Sequence, residues 1–205
     1  KAERDKSAVS VYNKQGVFLF TKILGETYAI SSEVSPSGRE VLINCVDISG
    51  VSINTGLHLY TISGGNVAGK TFENVIFPSI RYLNDDTIVA VSDSAIYLFG
   101  QNFEEKWSRT ISGKVYSMDV MKGRYAVFAF SEKGMMGEAG HVLIVDSKGR
   151  EVADYRIDQD VVNIAANDDF IAINTSKCVY FIDVAGRLRG SYASDYLINE
   201  VKLLG

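Results

Sequence analysis

The chain has 205 residues, 46% of them hydrophobic and 22% charged, so it can bury a core and is too apolar for wholesale disorder. A net charge of −4 gives neither nucleic acid nor an anionic membrane surface the basic stripe it would need. No apolar run reaches the roughly 18 residues that cross a bilayer, and no signal peptide is visible.

Strand-like segments then follow one another. AVSVYN (Ala8–Asn13) runs into the turn Asn13-Lys14-Gln15-Gly16. A larger unit starts at TYAISSEV (Thr27–Val34), turns through Ser35-Pro36-Ser37-Gly38, and continues through EVLINCV to LHLYT (Leu57–Thr61). The next reads NVIFPSIRYL (Asn74–Leu83), TIVAVSD, AIYLF and EEKWSRTI (Glu104–Ile111). After it come KVYSMDVM, YAVFAFS, HVLIVD and EVADYRI, and then DVVNIAAN, FIAINTS, CVYFID and LRGSYAS. YLINEVKLLG (Tyr196–Gly205) closes the sequence and reads as one more first strand.

The ends of five related strands, at Asn13, Thr61, Gly100, Asp146 and Asp183, are spaced by 48, 39, 46 and 37 residues. That period belongs to four-stranded propeller blades, whereas a β-helix coil is shorter and a sandwich gives no reason for a repeated register. Asn13, Asp146 and Asp183 each open a turn that a glycine closes three residues later, and Asn84-Asp85-Asp86 recurs as Asn167-Asp168-Asp169 in the first-to-second turn. Second and third strands are apolar runs suited to burial on both faces, and fourth strands carry edge-protecting charge.

The expected fold is therefore an all-β β-propeller of four full blades, at 27–73, 74–112, 113–158 and 159–194, with partial blades at 8–25 and 195–205. Either the two partial blades combine to close a small ring, or the chain is part of a larger one. An open arc would leave two apolar faces in water.

From YAISSEVSPSGREVLINCVDISG and IRYLNDDTIVAVSDSAIYLF through VDSKGREV and CVYFIDVAGRLRG to the last strand, the sequence resembles an uncharacterised family of Firmicutes proteins. That family is a domain of unknown function with one N-terminal membrane helix and an extracytoplasmic WD-like or quinoprotein-like propeller. The resemblance implies that the chain corresponds to about the C-terminal three-fifths of the family domain and faces outward from a cell membrane, tethered by a helix absent from this sequence. It carries over no catalytic or binding residue.

Propellers bind ligands at the channel mouth, where second-to-third-strand loops and blade-to-blade connections converge. Two second-to-third loops read as long, Asp47–Gly56 and Ser131–Gly140. They make Asp47, Asn54, Met135, Met136, Glu138 and His141 candidates for ligand or partner binding, with Asp119 on the inner strand VYSMDVM as a channel carboxylate. The two methionines beside Glu138 offer an adaptable apolar contact; a plain glycine-rich hairpin tip is the competing reading.

No catalytic, cofactor or metal residue is assigned, and no cofactor is expected. His58 and His141 lack a spaced carboxylate partner, the Asn-Asp-Asp turns lack calcium-loop spacing, and Cys45 and Cys178 read as buried thiols rather than a disulfide or metal pair. GxSxG and P-loop patterns are missing, and the single Trp107 lacks the repeated tryptophan motif of quinoprotein dehydrogenases. The expected role is a non-catalytic scaffold that binds an unknown protein or small-molecule ligand. An extracytoplasmic lyase or glycan hydrolase with channel-mouth carboxylates, or a ligand sensor, are the alternatives; three or more inward-facing ionisable groups from different blades would mark the enzyme.

Overall fold

A computed structural model describes residues 7–121, 123–134 and 137–203, with the side chains of 133–139 outside the description. A leading hairpin pairs β1 (Ala8–Tyr12) with β2 (Phe18–Ile23). Blade 1 is β3 (Tyr28–Val34), β4 (Glu40–Asp47), β5 (Asn54–Thr61) and β6 (Asn66–Glu73). Blade 2 is β7 (Ser79–Asn84), β8 (Thr87–Val91), β9 (Ala95–Phe99) and β10 (Glu105–Thr110). Blade 3 is β11 (Val115–Met121), β12 (Tyr125–Gly134), β13 (Gly137–Asp146) and β14 (Glu151–Ile157). Blade 4 is β15 (Asn163–Ala166), β16 (Ile171–Asn174), β17 (Cys178–Ile182) and β18 (Leu188–Ala193).

Each blade is an antiparallel meander whose strands pair in chain order. First strands sit side by side, β3 with β7, β7 with β11 and β11 with β15, so the sheets radiate from a shared hub. The fold is a β-propeller. Hydrophobic clusters fill each seam. The leading hairpin meets blade 1 through Val11, Val41, Ile43 and Tyr60. Blade 1 meets blade 2 through Leu42, Leu57, Phe77 and Phe103. Blades 2 and 3 join through Ile96, Leu98, Phe128 and Phe130, and blades 3 and 4 through Val127, Ile144, Ile171 and Ile173. Strands β8 and β16 are buried along their whole length, as apolar runs between two neighbours must be, while β18 is exposed throughout. At the two ends of the series Tyr12 (57%), Phe18 (54%), Leu188 (52%) and Tyr192 (60%) remain exposed.

Two expectations are corrected. The segment from Tyr196 forms no strand through 203, because no second strand lies beside it to build a ladder. It runs along the hub, where Asn174 Nδ2 donates to Ile198 O at 2.9 Å. Nor is Ser131–Gly140 a long loop: β12 and β13 stay paired out to Gly134 opposite Gly137, leaving only 135–136 between them. Polar residues broke the apolar alternation there, but a backbone ladder does not need apolar side chains. Similarly, β4 and β5 stay paired to Asp47 opposite Asn54, so their connection is 48–53.

Three of the turns between strands share one chemistry. Asn13 Oδ1 accepts from Gln15 N and Val17 N, Asp146 Oδ1 from Lys148 N and Arg150 N, and Asp183 Oδ1 from Ala185 N and Arg187 N. Gly149 (φ +82°) closes the second of these, and a Cβ there would sit 2.4 Å from Trp107 Cβ on β10 of the preceding blade. Blade 2 solves the same turn differently. Phe103 takes the left-handed conformation (φ +57°), its ring fully buried in the seam with blade 1 and its carbonyl accepting from Lys70 Nζ at 2.9 Å.

Three outcomes are expected in thermal or chemical unfolding. Gly149→Ala costs more than the ~1–2 kcal/mol of a left-handed alanine, because Trp107 must also move. Phe103→Ala costs about 3–5 kcal/mol through the cavity it leaves. Hydrogen bonds from Arg187 N, then from the Arg189 and Arg187 side chains, hold the Asp183 carboxyl down from 3.8 to about 2. Its contribution is present above pH 3.8 and lost as pH falls through about 2, so the Tm gap between wild type and Asp183→Asn should close over that window.

Candidate functional site

The innermost strands carry a repeated slot that the register defines. Ser31, Ser79, Ser117 and Asn163 lie opposite Asn44, Val91, Ala129 and Asn174 on their second strands. Two residues further on stand Glu33, Arg81, Asp119 and Ala165. In three consecutive blades that second slot is therefore acid, base, acid.

These groups stitch the hub. Glu33 Oε2 accepts from Tyr82 N at 2.9 Å, and Asp119 Oδ2 accepts from Ala166 N at 2.8 Å, so two carboxylates make the same bond to the next blade. Between them Arg81 donates through Nη1 to Asp119 Oδ1 at 2.9 Å and brings Nε to 3.9 Å from Glu33 Oε1. Ser117 Oγ accepts from Ile164 N at 3.3 Å. Asn163 both donates to Val201 O (3.1 Å) and accepts from Val201 N (3.3 Å), so a side-chain amide holds the last segment as a strand backbone would. Nearer the turn end of the hub, Asp85 Oδ1 accepts from Ser37 N of blade 1 while Asn84 Nδ2 donates to Gly123 O of blade 3. The Asn-Asp-Asp turn of blade 2 thus ties three blades together.

Burial raises the Glu33 carboxyl above its usual 4.5, opposed by the Tyr82 hydrogen bond and by Arg81. Burial, and then Glu40, Asp85 and Glu33, raise the Tyr82 phenol. Its hydroxyl and Asn44 Oδ1 are buried atoms with no hydrogen-bond partner among the described residues.

The residues singled out in the sequence do not converge. Asp47 and Asn54 are cross-strand partners at the end of β4 and β5. Asp47 accepts from the Ser49 hydroxyl and amide (2.7 and 2.9 Å), which holds its carboxyl below the usual range, and Asn54 accepts from Asn74 N at 3.3 Å. Asp119 belongs to the hub. His141 stacks on Phe130 (centroids 5.3 Å apart, planes 8°) and its Nδ1 donates to Asp154 Oδ1 at 2.9 Å. That supplies the carboxylate partner the sequence did not reveal. Arg109 completes this seam, 3.2 Å from Glu132, 3.4 Å from Glu151 and over the Phe130 ring. Met135 and Met136 lie outside the described residues, as does the side chain of Glu138, whose backbone pairs with Lys133. Among the described residues no hydrogen bond or ion pair links Asp47 or Asn54 to Asp119 or His141, and no group of three His, Cys, Asp or Glu is arranged to hold a metal. Cys45 is a buried free thiol donating to Gly56 O at 3.3 Å, and Cys178 is a half-buried one.

Sequence reasoning found Asp119 but missed Glu33 and Arg81. Aligning Ser31, Ser79 and Ser117 would have exposed all three, two residues downstream.

The profile of DUF5711, a family of unknown function, matches residues 2–203. The sequence matches no curated protein. Among solved structures, Saccharomyces cerevisiae Sqt1 superposes with a TM-score of 0.65 at 11% identity, over 93% of this chain and 57% of that one. Kluyveromyces lactis Hsv2 gives 0.62 at 11% identity, over 94% and 60%. Kuenenia stuttgartiensis hydrazine synthase gives 0.60 at 14% identity, over 87% and 59%. At such identities the likeness is one of fold, and the chain spans under two thirds of each of these structures.

Two measurements test the hub. Asp119→Ala strands the Ala166 amide and the Arg81 guanidinium and should cost about 1–3 kcal/mol in denaturant unfolding. Glu33 binds its proton more readily folded than unfolded, so its contribution is full in acid and falls as pH rises from 4.5 through the raised value. The Tm of Glu33→Gln relative to wild type should therefore climb over that interval.

Proposed function

The chain belongs to that family, and we propose that it is a non-catalytic propeller scaffold that binds a protein or small ligand at the outer face of a cell membrane. The supporting observation is the hub: Glu33, Arg81 and Asp119 are committed to one another and to neighbouring backbone amides, which suits a rigid platform. The β-propeller architecture, shared with the solved structures above, supports an interaction domain. The outward location and membrane tether rest on the family resemblance of the sequence. No helix among the described residues is long and apolar enough to cross a membrane.

A second reading draws on the same trio. Glu33, Arg81 and Asp119 come from three blades, the convergence expected of a channel enzyme, and Glu33 holds its proton above the ordinary range. It makes the protein an extracytoplasmic lyase or glycan hydrolase.

Covalent capture on intact cells with a membrane-tethered form, beside assays of the purified propeller on anionic and neutral cell-wall glycans, separates the two. The scaffold reading expects a saturable partner and no turnover. Turnover that Glu33→Gln abolishes while the protein stays folded would replace it with the enzyme.

A further inference from the structure

Both channel-mouth cavities of blade 3 share one residue, Tyr116. The larger, about 530 Å³, opens between β7 and β11, with Ser79, Ser117 and Met118 among its lining residues. The smaller, about 200 Å³, lies on the other side toward the connection from β14 to β15. Both volumes reach or approach the range of ligand pockets. At the level of the serine slot no side-chain stitch like that of the next seam crosses here among the described residues. Ser117 accepts the Ile164 amide across the next seam, whereas the Ser79 hydroxyl makes no corresponding bond among the described residues.

Tyr116 occupies its position through a bulge. The β11–β12 register slips between Val115 and Ser117, leaving Tyr116 out of the ladder, on a strand whose other edge pairs with no strand among the described residues. Bulges re-aim side chains beside sites, and an unpaired edge offers backbone donors and acceptors to an extended chain. Charge sets the class of that chain. Among the described lining residues, Asp93 stands at the first cavity and Asp158 and Asp160 at the second, with one cation, Lys114. Lys114 Nζ rests 5.7 Å from the Tyr116 ring centroid, and Arg156 Nε pairs at 3.9 Å with the exposed Asp158 carboxylate, both partners open to solvent and so free to exchange.

We infer that this end of blades 2 to 4 binds an extended basic peptide segment laid across Tyr116, backbone along β11 and cationic side chains toward Asp93 on one side and Asp158 and Asp160 on the other. The inference rests on the scaffold reading and gives it a site and a partner chemistry. A polyamine would satisfy the carboxylates and ignore the strand edge; an acidic glycan would be repelled.

The test is fluorescence anisotropy with a short fluorescein-labelled peptide alternating Arg and Gly, its Glu-for-Arg counterpart, and spermine as competitor. The Arg peptide should bind, weakening with salt, and Asp158→Asn/Asp160→Asn should lower its affinity at least about tenfold, as should Tyr116→Ala. The double variant changes only exposed side chains and so keeps the fold. Undiminished binding to it, preference for the Glu peptide, or spermine competing as well on a charge-matched basis would each overturn the proposal. No binding of the Arg peptide alongside successful capture on cells would sink this site and leave the scaffold reading standing; glycan turnover would sink that reading whatever the peptide does.

Discussion

Every blade in this molecule is a sheet with two apolar faces, and a face can leave water only against the next blade. That constraint generates the rest. It makes β8 and β16 uninterrupted runs of buried side chains, puts one hydrophobic cluster in each seam, and leaves the outer strand β18 exposed. It also explains the exposed Tyr12, Phe18, Leu188 and Tyr192, which stand on the sheets at the two ends of the series where no further face is laid.

Apolar contact is non-directional and does not fix how far one sheet slides along its neighbour. The polar ties at the hub supply that register. Each of Glu33 and Asp119 reaches one blade onward to an amide one position beyond the equivalent slot, and the Asp85 and Asn84 side chains grip the blades on either side. Directional bonds to backbone atoms tolerate little displacement, so the seams can be greasy and still unique. The seam between blades 2 and 3 is held by Arg81 with Asp119 and by Asn84, and opens beyond them into the cavity beside Tyr116.

Much of this was legible in the sequence because its signals are local. Hydrophobic runs, the Asn or Asp that opens a turn and the glycine that closes it lie within a few residues of the groups they organise, as Asp146 does with Lys148 and Arg150. Where the determinant is distant the reading failed. The carboxylate beside His141 comes from Asp154 on another strand, Glu33 acts on an amide 49 residues away, and Tyr116 stands out only once the slipped register is seen. The expected long loop at Ser131–Gly140 failed for a different reason: ladder pairing is a property of backbone, and composition alone hides it. The last segment reads as a strand in every local respect and lacks only a neighbour.

Phe103 bears on how such a molecule could have arisen or be rebuilt. Blades that descend from one duplicated ancestor ought to be exchangeable, and a consensus unit ought to serve at any place in the ring. Here a bulky aromatic with a left-handed backbone occupies the position where Gly149 and Gly186 close the turns of their blades, and it fills volume in the seam with blade 1. Transplanting blade 3 or 4 into that place would leave a hole, and moving blade 2 elsewhere would drive a phenyl ring into Trp107 or Ala153. At this residue the blades are not interchangeable, and their order is part of the fold.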